Sequence, residues 1–143
     1  MTIASILHEK GHDVFTITLP KTLQEICSVL REHRIGAILI VDDAGKVAGI
    51  LSERDIVRRI ATDGPDALKA DASDCMTSSV VTCGPEETIQ AAMARMSEGR
   101  FRHIPVVENG ELVGMVSIGD LVKRRIADAE REAEDLKNYL YAS

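Results

Sequence analysis

The sequence predicts an α/β fold: two tandem βαββα units packed through their sheets with pseudo-two-fold symmetry, followed by a C-terminal helix. Two observations carry this. The chain repeats itself in register, and each copy alternates apolar runs of strand length with stretches of helical periodicity. At an offset of 66 residues Thr16 meets Thr82, Thr22 meets Thr88, Gln24 meets Gln90, Arg34 meets Arg100, Ile38 meets Ile104 and Val41 meets Val107. The turn Asp42-Asp43-Ala44-Gly45 is then one residue longer than Glu108-Asn109-Gly110, and the offset becomes 65: Gly49 meets Gly114, Ser52 meets Ser117, Asp55 meets Asp120 and Arg59 meets Arg124. One register with a single slip, placed in a turn, marks a duplicated unit.

Within each copy the elements follow in the same order. Leu23, Ile26, Cys27 and Leu30 recur at helical spacing, and Ala37-Ile38-Leu39-Ile40-Val41 is an apolar strand. Asp42 to Gly45 is a hairpin turn, Val47-Ala48-Gly49-Ile50-Leu51 the return strand, and a helix starts after Ser52. In the second copy Ile89, Ala92, Met93 and Met96 mark the helix, residues 103–107 and 112–116 the strands, and Asn109-Gly110 the turn. A single copy is too small to bury an exposed sheet face, and two copies packed together remove the problem. The expected division is residues 1–61 for the N-terminal segment and first repeat, 62–79 for a connection with one short helical turn, 80–126 for the second repeat and 127–143 for the C-terminal helix.

Composition narrows the function classes. Apolar residues make up 45% of the 143, but aromatics only 3%, with no Trp. The core is therefore aliphatic, and a base-stacking single-strand binder is disfavoured. A formal net charge of −6 argues against general nucleic-acid binding. No apolar run has the length of a membrane span and no secretory signal is visible, so a cytoplasmic protein is expected. Cys27, Cys75 and Cys83 are odd in number and form no C-x-x-C, which fits a reducing compartment.

Two motifs occur twice in one register. Gly49-Ile50-Leu51-Ser52-Glu53-Arg54-Asp55 is echoed by Gly114-Met115-Val116-Ser117-Ile118-Gly119-Asp120, and the second copy adds Arg102-His103-Ile104-Pro105-Val106-Val107. On these residues the chain resembles the CBS-domain pair, or Bateman module, of the small stand-alone bacterial type, over residues 14–126. The resemblance implies a non-catalytic regulatory module that binds an adenosine nucleotide (AMP, ADP, ATP or NAD(H)) between the repeats, as an energy or redox sensor. It places Ser52 and Ser117 on phosphate, Asp55 and Asp120 on ribose hydroxyls, and builds each site from both repeats. Ser52, Asp55 and Ile50 then share a site with Thr82, Arg102 and His103; Ser117, Asp120 and Met115 share the other with Thr16, Gly36 and Ala37. Only the first has a guanidinium at the strand start, a good phosphate partner. A dinucleotide would set its second phosphate near Arg102, Arg54 or Arg58. Leu39 departs from the strand motif, which has Pro105 in the second copy.

The same residues have a plainer reading. Ser-x-x-Asp before a helix is close to a capping box, and its spacing needs no ligand. The two are compatible, because a helix N-terminus also attracts phosphate. His8 and His12 stand four apart but lack a third metal ligand, and Cys27 lies on an apolar helix face. No Gly-rich phosphate loop, activated nucleophile or catalytic triad is present, so an enzyme is not expected. The alternative from another class is a ligand-free dimerisation or protein-interaction module.

From Leu121 a long helix carries Val122, Ile126, Ala129, Ala133, Leu136 and Leu140 at 4-3-4-3-4 spacing. Two readings of this seam stay open: packing on the N-terminal residues 3–7, or contact with a second copy in a homodimer. A regulated partner protein is also implied, without an identity.

Overall fold

A computed structural model describes residues 1–142. The elements run α1 (Ile3–Lys10), β1 (Thr16–Ile17), α2 (Leu23–His33), β2 (Ala37–Val41), β3 (Val47–Ser52), α3 (Glu53–Asp63), two 3-10 turns (Gly64–Lys69 and Ala72–Asp74), α4 (Ile89–Gly99), β4 (His103–Glu108), β5 (Glu111–Ser117) and α5 (Ile118–Ala142). The duplication holds down to single hydrogen-bonded pairs. Ala37 opposes Ser52 as His103 opposes Ser117, Leu39 opposes Ile50 as Pro105 opposes Met115, and Ile40 opposes Gly49 as Val106 opposes Gly114. Both hairpins carry a register shift at the same place, after Ile40 and after Val106. Leu39 therefore keeps the geometry of its proline counterpart.

The helices start and stop for matching reasons. Thr22 and Thr88 each accept a hydrogen bond from the amide three residues on, at 3.2 Å from Glu25 and 3.1 Å from Ala91. Arg34 and Arg100 end α2 and α4 in the left-handed conformation, at φ 54° and 57°. Each repeat then closes its own core. The first holds Leu23, Ile26, Leu30, Ile38, Ile40, Leu51, Ile56 and Ala72; the second holds Ile89, Ala92, Met96, Ile104, Val106, Val116 and Leu121, and also Ile3, Ile6 and Leu7. Each large aliphatic side chain so buried contributes about 1.5–3 kcal/mol.

The first strand differs between copies. β1 pairs in parallel with β2 (Thr16 to Leu39, Ile17 to Ile40), whereas the second repeat keeps only one bridge, Cys83 to Val106, at the position equivalent to Ile17 and Ile40. The missing pair, equivalent to Thr16 and Leu39, is Thr82 with Pro105, and Pro105 has no amide to donate to the neighbouring strand.

The connections exchange partners. Residues 1–4 run antiparallel to the start of α4: Ile3 donates to the Glu87 carbonyl, and Ile89 to that of Met1. Residues 70–72 do the same at the start of α2, where Ala72 donates to Lys21 and Leu23 to Ala70. Each repeat is thus sealed by the segment that precedes the other. Leu7 lies over Gly114, where an added Cβ would come within 2.6 Å of it, and Met76 over Gly49 at 2.4 Å.

α5 does meet the N-terminal helix, but not through the expected seam. Leu121, counterpart of Ile56, is fully buried, and Arg124 reaches Glu9 at 2.9 Å and Asp128 at 3.3 Å. Val122 and Ile126 lie to one side and are exposed at 40% and 55%, and Leu136 and Leu140 are exposed further along. The heptad spacing identified an apolar face; the packed face is the one inherited from α3. No helix among the described residues is long and apolar enough to cross a membrane.

Candidate functional site

The strand–helix junctions carry the repeated Ser-x-x-Asp. Ser52 caps α3: its amide and hydroxyl donate to Asp55 Oδ2 at 2.9 and 3.0 Å, and its Oγ accepts from the Asp55 amide at 3.4 Å. Ser117 caps α5 alike, with its amide 2.8 Å from Asp120 Oδ2 and its Oγ 3.2 Å from the Asp120 amide. The capping reading is therefore a structural fact. It occupies one carboxylate oxygen, and Oδ1 of each Asp takes none of these bonds. The helix starts are less open than expected, because Glu53 donates to the Gly36 carbonyl and Ile118 to that of Arg102. Of the first three amides of α3 only that of Arg54 stays outside these bonds.

In front of Ser52 and Asp55 lies a cavity of about 390 Å³, of the size that small ligands occupy. Its walls bring both repeats together. Ile50, Ser52 and Asp55 come from the first, Arg102 and His103 from the second, and Gly36, just before β2, also faces this cavity, whereas the resemblance groups it with Ser117 and Asp120. Thr82 does not line this cavity: its carbonyl accepts from Arg95 at 2.6 Å, and Val80 and Val81 line the wall instead. Sequence reasoning had not assigned Ser79, Val81, Gly99, Arg100 or Phe101 to the site. For Gly99, Arg100 and Phe101 a signal was available, since they run from the end of α4 towards the start of β4, beside Arg102, whereas Ser79 and Val81 lie in the connection and carried none.

Four arginines line this cavity, Arg54, Arg58, Arg100 and Arg102, against two carboxylates, Glu53 and Asp55. In a chain of net charge −6 this is a local reversal of sign, and guanidinium forks suit phosphate. Burial chiefly, and the charge of Lys10, lower the pKa of His103 against the opposing pull of Asp120 and Glu53. His103 is accordingly neutral near pH 7 and offers one donor and one acceptor.

The second Ser-x-x-Asp is differently surrounded. Ser117, Asp120 and Met115 are placed at the end of β5 and the start of α5, with Thr16 on β1 and the buried Ala37 on β2. Lys10 Nζ lies 2.7 Å from Asp120 Oδ2 and 2.9 Å from the Met115 carbonyl. Burial pushes the Asp120 carboxyl up, but the Lys10 hydrogen bond, those of Ser117 and the Lys10 charge outweigh it, and its pKa falls below the ordinary range.

Of the remaining candidates, His8 and His12 share no helix face, because α1 ends before Gly11, and His12 Nδ1 lies 2.8 Å from the Val113 carbonyl. Cys83 is buried in the second core, and burial raises its thiol to about 11, far from a nucleophile's range. Burial likewise raises Cys27 and Cys75.

A duplicated βαββα chain with a cleft walled by both copies defines a class of tandem-repeat regulatory modules. The CBS domain model matches residues 6–62 and again 72–127, and the chain belongs to that family. It is 31% identical over 126 residues to the CBS domain-containing protein YhcV of Bacillus subtilis, covering 88% of this chain and 89% of that one. It is also 31% identical to the mitochondrial CBS domain-containing protein CBSX3 of Arabidopsis thaliana, covering 97% and 71%. Among solved structures, the CBS-domain protein ATU1752 of Agrobacterium tumefaciens matches with a TM-score of 0.85 at 42% identity, over 87% of this chain and 99% of that one. The CBS domain protein PAE2072 of Pyrobaculum aerophilum, solved with AMP, matches with a TM-score of 0.73 at 26% identity, over 84% and 89%. The CBS domain pair of MJ0100, solved with 5′-methylthioadenosine and S-adenosyl-L-methionine, gives 0.76 at 26%, over 86% and 98%.

Proposed function

We propose that this chain is a non-catalytic regulatory module that binds an adenosine nucleotide in the cleft at Asp55. The observation that carries the reading is the placement of the Ser52–Asp55 cap opposite Arg102 and His103 of the other repeat, across a cavity of about 390 Å³. Asp55 Oδ1 accepts from a ribose hydroxyl, and the arginines take phosphate. The ligands of the two solved relatives share adenosine, which supports the class. The four arginines favour ligands that carry phosphate, so AMP, ADP, ATP and NAD(H) rank ahead of free adenosine.

Thermal melts with AMP, ATP, NADH, GMP and CMP test this. A ligand at 100 times its Kd adds about 2.7 kcal/mol per site, a shift of several degrees for a chain of this size. Adenine compounds are expected ahead of GMP and CMP. Equal shifts with all five would reduce the site to a phosphate cradle, and no shift would favour the interaction-module reading.

The exposed Leu136, Tyr139 and Tyr141 on α5 support pairing of two copies through this helix. Sedimentation of the full chain and of a chain ending at residue 130 is expected to show a dimer only for the first. A full chain that is monomeric at high micromolar concentration overturns the pairing.

A further inference from the structure

The register of the duplication makes the two clefts comparable position by position, and five positions differ in one direction. Residues 1–10 seal the second repeat as residues 70–79 seal the first. Leu7 on Gly114 corresponds to Met76 on Gly49. Three residues further, Lys10 corresponds to Ser79, which lines the open cavity. In the first repeat the strand after Gly49 is bridged by backbone, Ile50 and Thr77 exchanging both hydrogen bonds at 2.9 Å. In the second, α1 continues as helix to Lys10, and its ammonium takes the Met115 carbonyl instead, while reaching the Asp120 carboxylate.

The facing wall is altered too. Val81 and Gly99, which line the open cavity, correspond to Phe15 and His33. Those two rings lie against each other with centroids 4.2 Å apart. Arg102 and Arg54, two of the cations of the open cleft, correspond to Gly36 and Gly119. The second cleft thus has a cation already bonded to its carboxylate, an aromatic pair where the first has small side chains, and fewer free cations for phosphate.

We propose that Lys10 is a built-in occupant of the second cleft, its ammonium paired with Asp120 through the cap oxygen Oδ2 and standing in the way of a ribose at Oδ1, so that each chain takes up a single adenosine nucleotide, at Asp55. The proposal rests on the nucleotide reading of the Asp55 cleft. A charge-assisted bond at 2.7 Å is stronger than one from a neutral hydroxyl, and the longer Lys10 side chain stands at the position that Ser79 takes in the open cleft. Lys10 is tied to α1, which Ile3, Ile6 and Leu7 anchor in the second core, so the ammonium is held at the site rather than diffusing to it.

Calorimetric titration with AMP decides, using the wild type, Lys10→Met, Lys10→Gln, Asp55→Asn, and Lys10→Met combined with Asp120→Asn. Lys10→Met keeps the apolar stem, and Lys10→Gln keeps a donor for the Met115 carbonyl, so one of the two retains the α1 packing if the other loosens it. The expected result is one AMP per wild-type chain, abolished by Asp55→Asn, and two per chain in the Lys10 variants, the second abolished by Asp120→Asn. Two AMP in the wild type, or one AMP in the wild type and in both Lys10 variants alike, overturns the occupant while leaving the Asp55 site in place. No AMP in the wild type but one in the Lys10 variants, removed by Asp120→Asn, upholds the lysine and overturns the Asp55 reading. No binding in any variant overturns both.

Discussion

The two repeats share a backbone register, a cap and even a hairpin irregularity, yet one presents an open cleft and the other a carboxylate already in an ion pair. The difference does not lie in the duplicated motif. The two backbone cap bonds of Ser52 and Asp55 match those of Ser117 and Asp120 to within a few tenths of an ångström. It lies in the segment that seals each repeat: an eight-residue helix over one, a 3-10 turn and a non-helical stretch over the other. Duplicated motifs therefore report the scaffold, and the sealing segments decide which copy is accessible.

The largest test of that contrast is in the seals themselves. Leu7 is fully buried in the second core, while its counterpart Met76 is half-buried at the edge of the first. Leu7→Ala is expected to cost about 2–5 kcal/mol, and Met76→Ala clearly less, by urea unfolding. Equal costs would mean that the two seals are interchangeable.

Next in size is the pair of aspartates. Asp55→Asn removes a charged acceptor for a ribose hydroxyl and is expected to cost about 1.5–3 kcal/mol of AMP binding, roughly ten- to a hundredfold. Asp120→Asn is expected to leave AMP affinity unchanged. Arg102→Ala sharpens the same point, because it should weaken AMP more than adenosine. A nucleotide affinity that falls equally in Asp55→Asn and Asp120→Asn breaks the contrast between clefts.

The two glycines under the seals give a smaller effect. At Gly114 an added methyl meets Leu7, which is locked in the core, at 2.6 Å; at Gly49 it meets the flexible end of Met76. Gly114→Ala is expected to cost about 1–3 kcal/mol, and Gly49→Ala less. Thermal melts of the two variants rank them, and the reverse order would show that the Met76 connection is the more rigid seal.

The smallest effect concerns pH. A carboxyl whose pKa falls on folding contributes stability that is full above its unfolded value, about 3.9, and that is lost as pH falls through its lower folded value. Asp120 is such a group. Wild type is expected to exceed Lys10→Met in stability by at most about 1 kcal/mol at pH 7, and the margin should shrink below about pH 4. Urea midpoints at pH 7 and pH 3 measure it, and a margin that grows in acid would contradict the ion pair.

Much of this was legible in the sequence. The offset of the repeat, the apolar strands, the hairpin turns and the Ser-x-x-Asp caps are local patterns, and each appears in the structure where the pattern put it. Other features depend on contacts between distant residues and left no local trace. The β1 equivalent near Thr82 shrinks to one bridge because Pro105, on the strand it would pair with, has no amide to donate. The stacking of Phe15 on His33 needs α2 to end where Arg34 turns left-handed. Lys10 meets Asp120 across 110 positions, and only the exchange of seals brings them together. In α5 the periodicity was read correctly as a long helix, but Leu121, one position before the seam, carries the burial.

The exchange of seals also sets an order in time. A ribosome makes α1 before the other elements of the two repeats, yet the surface that covers Ile3, Ile6 and Leu7 belongs to α4, β5 and α5, which follow much later. The first repeat can close as soon as residues 70–79 have emerged, since its seal lies directly downstream. Throughout synthesis of the second repeat the nascent chain therefore carries an amphipathic helix with no place to dock, and completion of the fold waits for α1 to meet the second repeat.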